Sequence, residues 1–164
     1  LRCLVGSEMC IRDSRWPLQP QYGTTGGATC VSGAPNEVWS YTDQVCEILS
    51  DYLRLRERML PYITELMEEA HEKGTPVMRP LFYDFPEDKE SWNVETEYMF
   101  GPKVLVKPIT DADARETDVY LPGGASWTNA WTGETFEGGQ KVHVAAPIEQ
   151  IPLFTRDGYK LPMK

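Results

Sequence analysis

A chain of 164 residues holds one ordinary domain, or a small domain with part of another, and is long enough to bury a core without metals or disulfides. Its formal net charge of −9 repels phosphate backbones and anionic membrane surfaces, which argues against nucleic-acid and membrane partners. No apolar run approaches the roughly 20 residues of a membrane span, and 41% hydrophobic with 25% charged residues is an ordinary globular composition.

The first methionine is Met9, so no initiator stands at the start, and no signal-peptide pattern opens the chain. The cysteines Cys3, Cys10, Cys30 and Cys46 fit no zinc or CxxC spacing. Residues 4–14 read LVGSEMCIRDS and resemble the in-frame translation of a transposase-type sequencing-library adapter. Residues 15–33 are rich in Gly, Thr, Pro and Gln without helical or strand periodicity, and read as a frameshifted stretch or a disordered linker. Residues 1–33 are therefore set aside as an artefactual or disordered segment.

Periodicity begins near Asn36. Val38, Tyr41, Val45, Ile48, Leu49, Tyr52, Leu55, Met59, Ile63, Leu66, Met67 and Ala70 recur at steps of three and four, which predicts a long amphipathic helix over 36–73. Asn36 or Ser40 is its candidate cap. Pro61 removes a ladder bond and clashes with the preceding turn, so a kink or a two-helix break is expected there. His71 and Lys73 in the last turn, Gly74 as a left-handed cap and Pro76 beyond it mark the end.

After Gly74 the pattern turns to short runs of aromatic and β-branched residues. Strands are predicted over 75–83, 97–100, 103–109, 117–121, 126–131, 134–136, 141–145, 150–155 and 159–161, with a loop or short helix over 86–94. Gly123-Gly124, Thr132-Gly133, Gly138-Gly139 and Asp157-Gly158 are the turns between them. This spacing suggests an antiparallel sandwich or small barrel. The apolar helix stripe must cover that β-module or lack a partner.

Five runs then carry a resemblance: GAPNEVW (33–39), LRERMLPYITELMEEAHEKGTPVMRPLFYDFPED (55–88), YMFGPKVLVKPI (98–109), VYLPGGASWTNAWTGETFEGG (119–139) and APIEQIPLFTRDG (146–158). In this order they resemble the C-terminal third of family 31 glycoside hydrolases, which include α-glucosidases and α-xylosidases. The resemblance implies an α+β fragment, the last helix of a (β/α)8 barrel followed by an antiparallel β-sandwich domain. It places residues 34–88 at the C-terminal end of the barrel and 89–164 in the proximal sandwich. A barrel needs about 200 to 250 residues, so the chain cannot hold one beside a sandwich, and a piece of a longer parent is expected.

Retaining glycoside hydrolysis needs two carboxyl groups about 5 Å apart. Neither family motif that supplies them, of KTDFGE and WSGD type, occurs here. The family's FRxH run, whose histidine contacts the sugar, is replaced by WPLQPQYGTTGG (16–27). No catalytic residue, substrate-binding residue, metal ligand or cofactor is assigned to the chain. Several side chains still invite a chemical reading. Asp84, Glu87 and Asp88 are either an acid/base group or a solvated loop, and the loop reading is favoured. Asp111, Asp113 and Asp118 suggest a calcium loop but lack its glycine and distal glutamate. Trp127 and Trp131 are sugar platforms or, preferably, sandwich packing. His71 and His143 read as structural, and Arg79 as an ion-pair partner across the barrel–sandwich junction.

The expected function is that of the C-terminal part of a retaining α-glycosidase, releasing terminal α-linked glucose or xylose from oligosaccharides without a cofactor, the catalytic aspartates lying outside this chain. The fragment alone is expected to be inactive, with the absent part of the barrel as its intramolecular partner. The alternatives are a stand-alone carbohydrate-binding β-sandwich module and an interaction protein using the bare helix face. Glucose against xylose preference is not legible here, and the disulfide-poor, acidic body leans towards the cytoplasm.

Overall fold

The computed structural model describes residues 42–163, together with the backbone of two short strands, β1 (Pro20–Gln21) and β2 (Cys30–Val31). The adapter-like run 4–14, Cys3, Cys10, the GAPNEVW run and the candidate caps Asn36 and Ser40 lie outside the described residues. The chain divides into two compact units, Leu1–Arg54 and Leu55–Lys164.

In the first unit, β1 and β2 pair antiparallel, Pro20 opposite Val31 and Gln21 opposite Cys30. Helix α1 (Asp43–Arg58) begins there and runs into the second unit. The Thr42 hydroxyl accepts the Val45 N–H at 3.4 Å, and Asp43 places negative charge in the first turn.

The second unit carries the body of the fold. Helix α2 (Leu60–Lys73) restarts after Met59, with Pro61 in its first turn. A proline there removes an N–H that would be an orphan anyway, so Pro61 produces the two-helix form of the expected break. Gly74 ends α2 at φ 71°, and its N–H donates to Ala70 O at 3.0 Å, as the sequence predicts. Among the described residues no helix is long and apolar enough to cross a membrane.

Two predicted strands differ in the structure. Over 75–83 only β3 (Met78–Pro80) is extended, and Leu81–Asp84 forms a helical turn, α3. Helical spacing puts Leu81 and Phe85 on one side, where they are 0% and 7% exposed, and that burial overrides the β-propensity of the aromatics between them. Residues 159–161 make no strand. Arg58 takes the nearby carbonyls of Pro162 and Met163 at 2.8 and 3.0 Å, and the Tyr159 ring lies 5.4 Å from that of Tyr62. A 3-10 turn, Lys89–Trp92, occupies the expected loop or short helix.

The other strands are β4 (Tyr98–Phe100), β5 (Val104–Val106), β6 (Glu116–Leu121), β7 (Ser126–Asn129), β8 (Thr135–Glu137), β9 (Gln140–Ala145) and β10 (Leu153–Arg156). Among the described residues of this unit they form a six-stranded sheet, ordered β3-β4-β5-β10-β7-β8, and a two-stranded ribbon, β6-β9, with antiparallel pairing throughout.

Period-two alternation gives the large sheet two apolar faces. Met99, Leu105 and Phe154 are cross-strand neighbours, all 0% exposed, and belong to a core shared with Leu81, Trp127 and the ribbon residues Val119, Leu121, Val142 and Val144. The intervening Tyr98, Phe100, Val104, Val106 and Leu153 belong to a second core with Tyr62 and Leu66 of α2. The helix stripe thus finds its partner in the β-module, through α2. A sheet covered on both faces explains why VLV in β5 is apolar without alternation. The Tyr62 hydroxyl, pushed up to about 12 by burial, stays protonated and donates to Phe100 O at 2.9 Å.

The β4–β5 turn comes close to α2 at Gly101, where φ is 60°. A Cβ there would overlap the Tyr62 hydroxyl and stand 2.6 Å from a Leu66 methyl. Gly101→Ala is expected to destabilise the domain by about 2 kcal/mol or more, from the left-handed backbone together with overpacking. Chemical denaturation of the two proteins measures the difference.

Candidate functional site

Each cluster of polar side chains that the sequence singles out has a defined geometry. Asp84, Glu87 and Asp88 do not act as one group. Asp84 belongs to Arg79, whose Nη1 lies 3.0 Å from its Oδ1. Arg79 is only 5% exposed. Its Nε donates to Pro76 O at 2.7 Å, and its Nη2 is 3.7 Å from Glu69 on α2. The guanidinium also lies 5.4 Å from the Tyr83 ring. One buried cation thus ties the end of α2 to β3 and α3, and both its carboxylate partners lie within residues 34–88. Removing it would leave Asp84 charged and nearly buried, a loss of the kind that costs ~3 kcal/mol.

Asp88 serves a different set of partners. Its Oδ2 accepts the Tyr120 hydroxyl at 2.7 Å and the Gly123 N–H at 2.8 Å, and its Oδ1 accepts the Glu90 N–H at 3.1 Å. Desolvation alone would raise its carboxyl, but the bonds from Gly123, Tyr120 and Glu90 outweigh burial and hold it below the usual carboxylate range. Burial and this carboxylate push the Tyr120 phenol well up, so it remains a donor. Asp88 fastens the loop before β4 to strand β6 and the turn after it. Glu87 between the two aspartates is exposed.

Asp118 is engaged apart from Asp111 and Asp113. It stands opposite His143 in the ribbon, Oδ1 to Nδ1 2.7 Å, while Glu116 approaches the other ring nitrogen at 3.3 Å. Hydrogen bonds to these two carboxylates raise the imidazole above its ordinary value. Asp113 occupies a turn at φ 60°. Among the described residues no group of three or more His, Cys, Asp and Glu is arranged to hold a metal ion. His71 is exposed in the last turn of α2.

Trp127 is 0% exposed, and its Nε1 donates to Pro122 O at 3.0 Å, so its ring is core rather than a sugar platform. Trp131 is half-buried and donates to Ile151 O at 2.7 Å. Among the described tryptophans, the one that presents its ring to solvent is Trp92, 58% exposed and stacked on Phe82. It lies in a polar stretch where no apolar period draws attention to it.

Glu97 is the other residue that sequence reading passes over. It is 6% exposed, accepts the Tyr120 N–H at 3.0 Å and lies 3.5 Å from the Lys107 ammonium. Burial raises its carboxyl despite the Tyr120 N–H and Lys107. A signal was available, because Glu97 shares the core-facing parity of Met99 two residues on.

These arrangements pair carboxylates with cations, amides and hydroxyls of the same domain, which defines a structural α+β module with antiparallel sheets. The family model for the glycosyl hydrolase family 31 C-terminal domain matches residues 74–161. The chain belongs to glycoside hydrolase family 31. It is 40% identical over 129 residues to the α-xylosidase of Saccharolobus solfataricus, covering 79% of this chain and 18% of that protein. It is 39% identical over 122 residues to α-glucosidase 2 of Bacillus thermoamyloliquefaciens, covering 74% and 15%. Among solved structures, a family 31 α-xylosidase from a soil metagenome, complexed with xylose, superposes with a TM-score of 0.76 at 42% identity, covering 89% of this chain and 22% of that one. The chain therefore spans about a fifth of the length of the relatives it matches.

Two outcomes follow from the ionisable pairs. The stability that Asp88 contributes is present above the ordinary carboxylate range and lost as pH falls through its lowered folded value. Asp88→Asn is expected to cost about 1–3 kcal/mol near neutrality, with the gap to the parent protein closing in acid; urea melts across a pH series measure it. For His143 the sign is opposite. Its contribution is full below the ordinary imidazole value and lost as pH rises through the raised one. Imidazole titration by NMR should place His143 above free histidine, and Asp118→Asn should bring it down.

Proposed function

We propose that this chain is the C-terminal portion of a retaining α-glycosidase that releases terminal α-linked glucose or xylose from oligosaccharides. The observation that carries this reading is the family match over residues 74–161, joined to relatives named α-xylosidase and α-glucosidase. In this reading α1 and α2, within residues 34–88, are the last helix of the catalytic (β/α)8 barrel, broken at Met59. Residues 89–164 are the proximal β-sandwich, and residues 1–33 stand outside both.

The two carboxyl groups, about 5 Å apart in a retaining enzyme, belong to polypeptide outside this chain. The contribution of this chain is mechanical. Its sheet, held by Arg79 and Asp88, gives the end of the barrel a rigid flank. The oligosaccharide is the substrate of the whole enzyme, bound by residues beyond those described. The alternative of a stand-alone sugar-binding module loses one of the two tryptophans that suggested it, since Trp127 is fully buried while Trp131 is half-buried.

The purified chain is expected to show no turnover of aryl α-glucosides or aryl α-xylosides. Hydrolysis that copurifies with the chain and is absent from a mock preparation would show that this chain holds a catalytic pair, and the reading would fall.

A further inference from the structure

Residues 85–97 lead from α3 to β4, and a carboxylate stands near each end of this stretch, Asp88 and Glu97. Both grip the same residue of the ribbon. Asp88 Oδ2 accepts the Tyr120 hydroxyl at 2.7 Å, and Glu97 Oε1 accepts the Tyr120 backbone N–H at 3.0 Å. Tyr120 lies on β6 between Val119 and Leu121, which enter the core shared with the sheet. The two carboxylates therefore seat the ribbon by the two ends of one residue.

The two ends differ in how well each carboxylate is partnered. Both oxygens of Asp88 are engaged, since the Gly123 N–H also reaches Oδ2 at 2.8 Å and the Glu90 N–H reaches Oδ1 at 3.1 Å. The ionisable groups beside it are Tyr120 on β6 and Glu90 on its own turn. Against desolvation, the bonds from Gly123, Tyr120 and Glu90 keep Asp88 ionised below the usual carboxylate range. Glu97 has 2% of its side chain exposed, and its Oε2 is buried with no hydrogen-bond partner among the described residues. The charged groups facing it are Lys107, beyond β5, and Lys141 on β9. The Lys107 ammonium stands 3.5 Å from Oε1 and makes its close bond, 2.6 Å, to Thr96, while that of Lys141 is held by Glu90 at 3.0 Å. Desolvation accordingly raises the Glu97 carboxyl. An ionised Glu97 hydrates its unpartnered oxygen only by leaving Tyr120.

We propose that Asp88, Tyr120 and Glu97 form a two-ended clasp that seats the ribbon most firmly in mildly acidic surroundings, the Asp88 end loosening towards stronger acid and the Glu97 end towards neutrality. The contribution of Asp88 is present above the ordinary carboxylate range and lost as pH falls through its lowered folded value. That of Glu97 is full below the ordinary range and declines as pH rises through its raised folded value. Both ends hold together only near the ordinary carboxylate range. What the clasp controls is the cover of the first core, because Val119, Leu121, Val142 and Val144 of the ribbon belong to it.

The test is amide hydrogen exchange of the purified chain, followed by NMR from about pH 3 to about pH 8. Protection factors, corrected for the intrinsic pH dependence of exchange, are compared at Tyr120, Gly123 and Leu105, the last a reference in β5. Relative to Leu105, Gly123 is expected to lose protection several-fold towards the acid limit, and Tyr120 several-fold towards neutrality. Glu97→Gln copies the neutral acid and should keep Tyr120 protected up to neutrality. Asp88→Asn should weaken Gly123 throughout and abolish its further fall in acid. Tyr120 and Gly123 following Leu105 at every pH would overturn the proposal, and so would a Glu97→Gln profile that runs parallel to that of the unaltered chain. Should Glu97→Gln not fold, Lys107→Met decides. Loss of the ammonium facing Glu97 should deepen the neutral-side loss at Tyr120 and leave the acid side as it was, and an unchanged neutral side overturns the clasp.

Discussion

The fold depends on one constraint, that a sheet with two apolar faces must have both of them covered. Strands β4, β5 and β10 send Met99, Leu105 and Phe154 one way and Tyr98, Phe100, Val104, Val106 and Leu153 the other. The ribbon β6-β9 and the turn α3 belong with the first face, and helix α2 with the second. Remove either cover and a row of large side chains meets water, at about 25 cal/mol for each Å² of apolar surface exposed. A one-residue slip in β5 would exchange the two sets, which fixes register as firmly as hydrogen bonding does.

The charged groups are organised around that requirement. Arg79 and Asp88 stand on either side of the segment that leads from helix to sheet. Each turns a long irregular stretch into a bonded one: Arg79 through Asp84, Pro76 O and Glu69, Asp88 through Tyr120, Gly123 and Glu90. Buried charge is costly unless partnered, and here the partners lie on separate elements, so a correct pairing also sets where those elements meet.

Much of this was legible in the sequence because local chemistry dictated it. Gly74 with Pro76 beyond it is a stop signal that needs no tertiary information, and Pro61 marks a helix break wherever the helix packs. Strand positions could be read from turns, within a few residues. What failed needed knowledge of burial. LFYD has strand composition, but the burial of Leu81 and Phe85 at helical spacing selects a turn of helix. YKL at 159–161 has strand composition too, but Arg58, a hundred residues earlier, claims the carbonyls beyond it. Glu97 and Trp92 run against the usual rule for their residue types, a carboxylate inside and an indole outside. Composition cannot expose such inversions. The split of Asp84 from Asp88 was equally hidden, since adjacent carboxylates look alike until their donors are known.

The order of strands in the sheet also bears on how the protein is made. Among the described residues, strand β10 comes last in sequence, lies between β5 and β7, and joins β3-β4-β5 to β7-β8. During synthesis, therefore, two partial sheets emerge from the ribosome with unpaired inner edges, and neither is complete until residues 153–156 clear the exit tunnel. Pairings of such long sequence separation form late, and open edges in the interval are the places where nascent chains stick to one another. A stop codon at or before position 153 would therefore remove the seam of the sheet and leave its two halves unjoined.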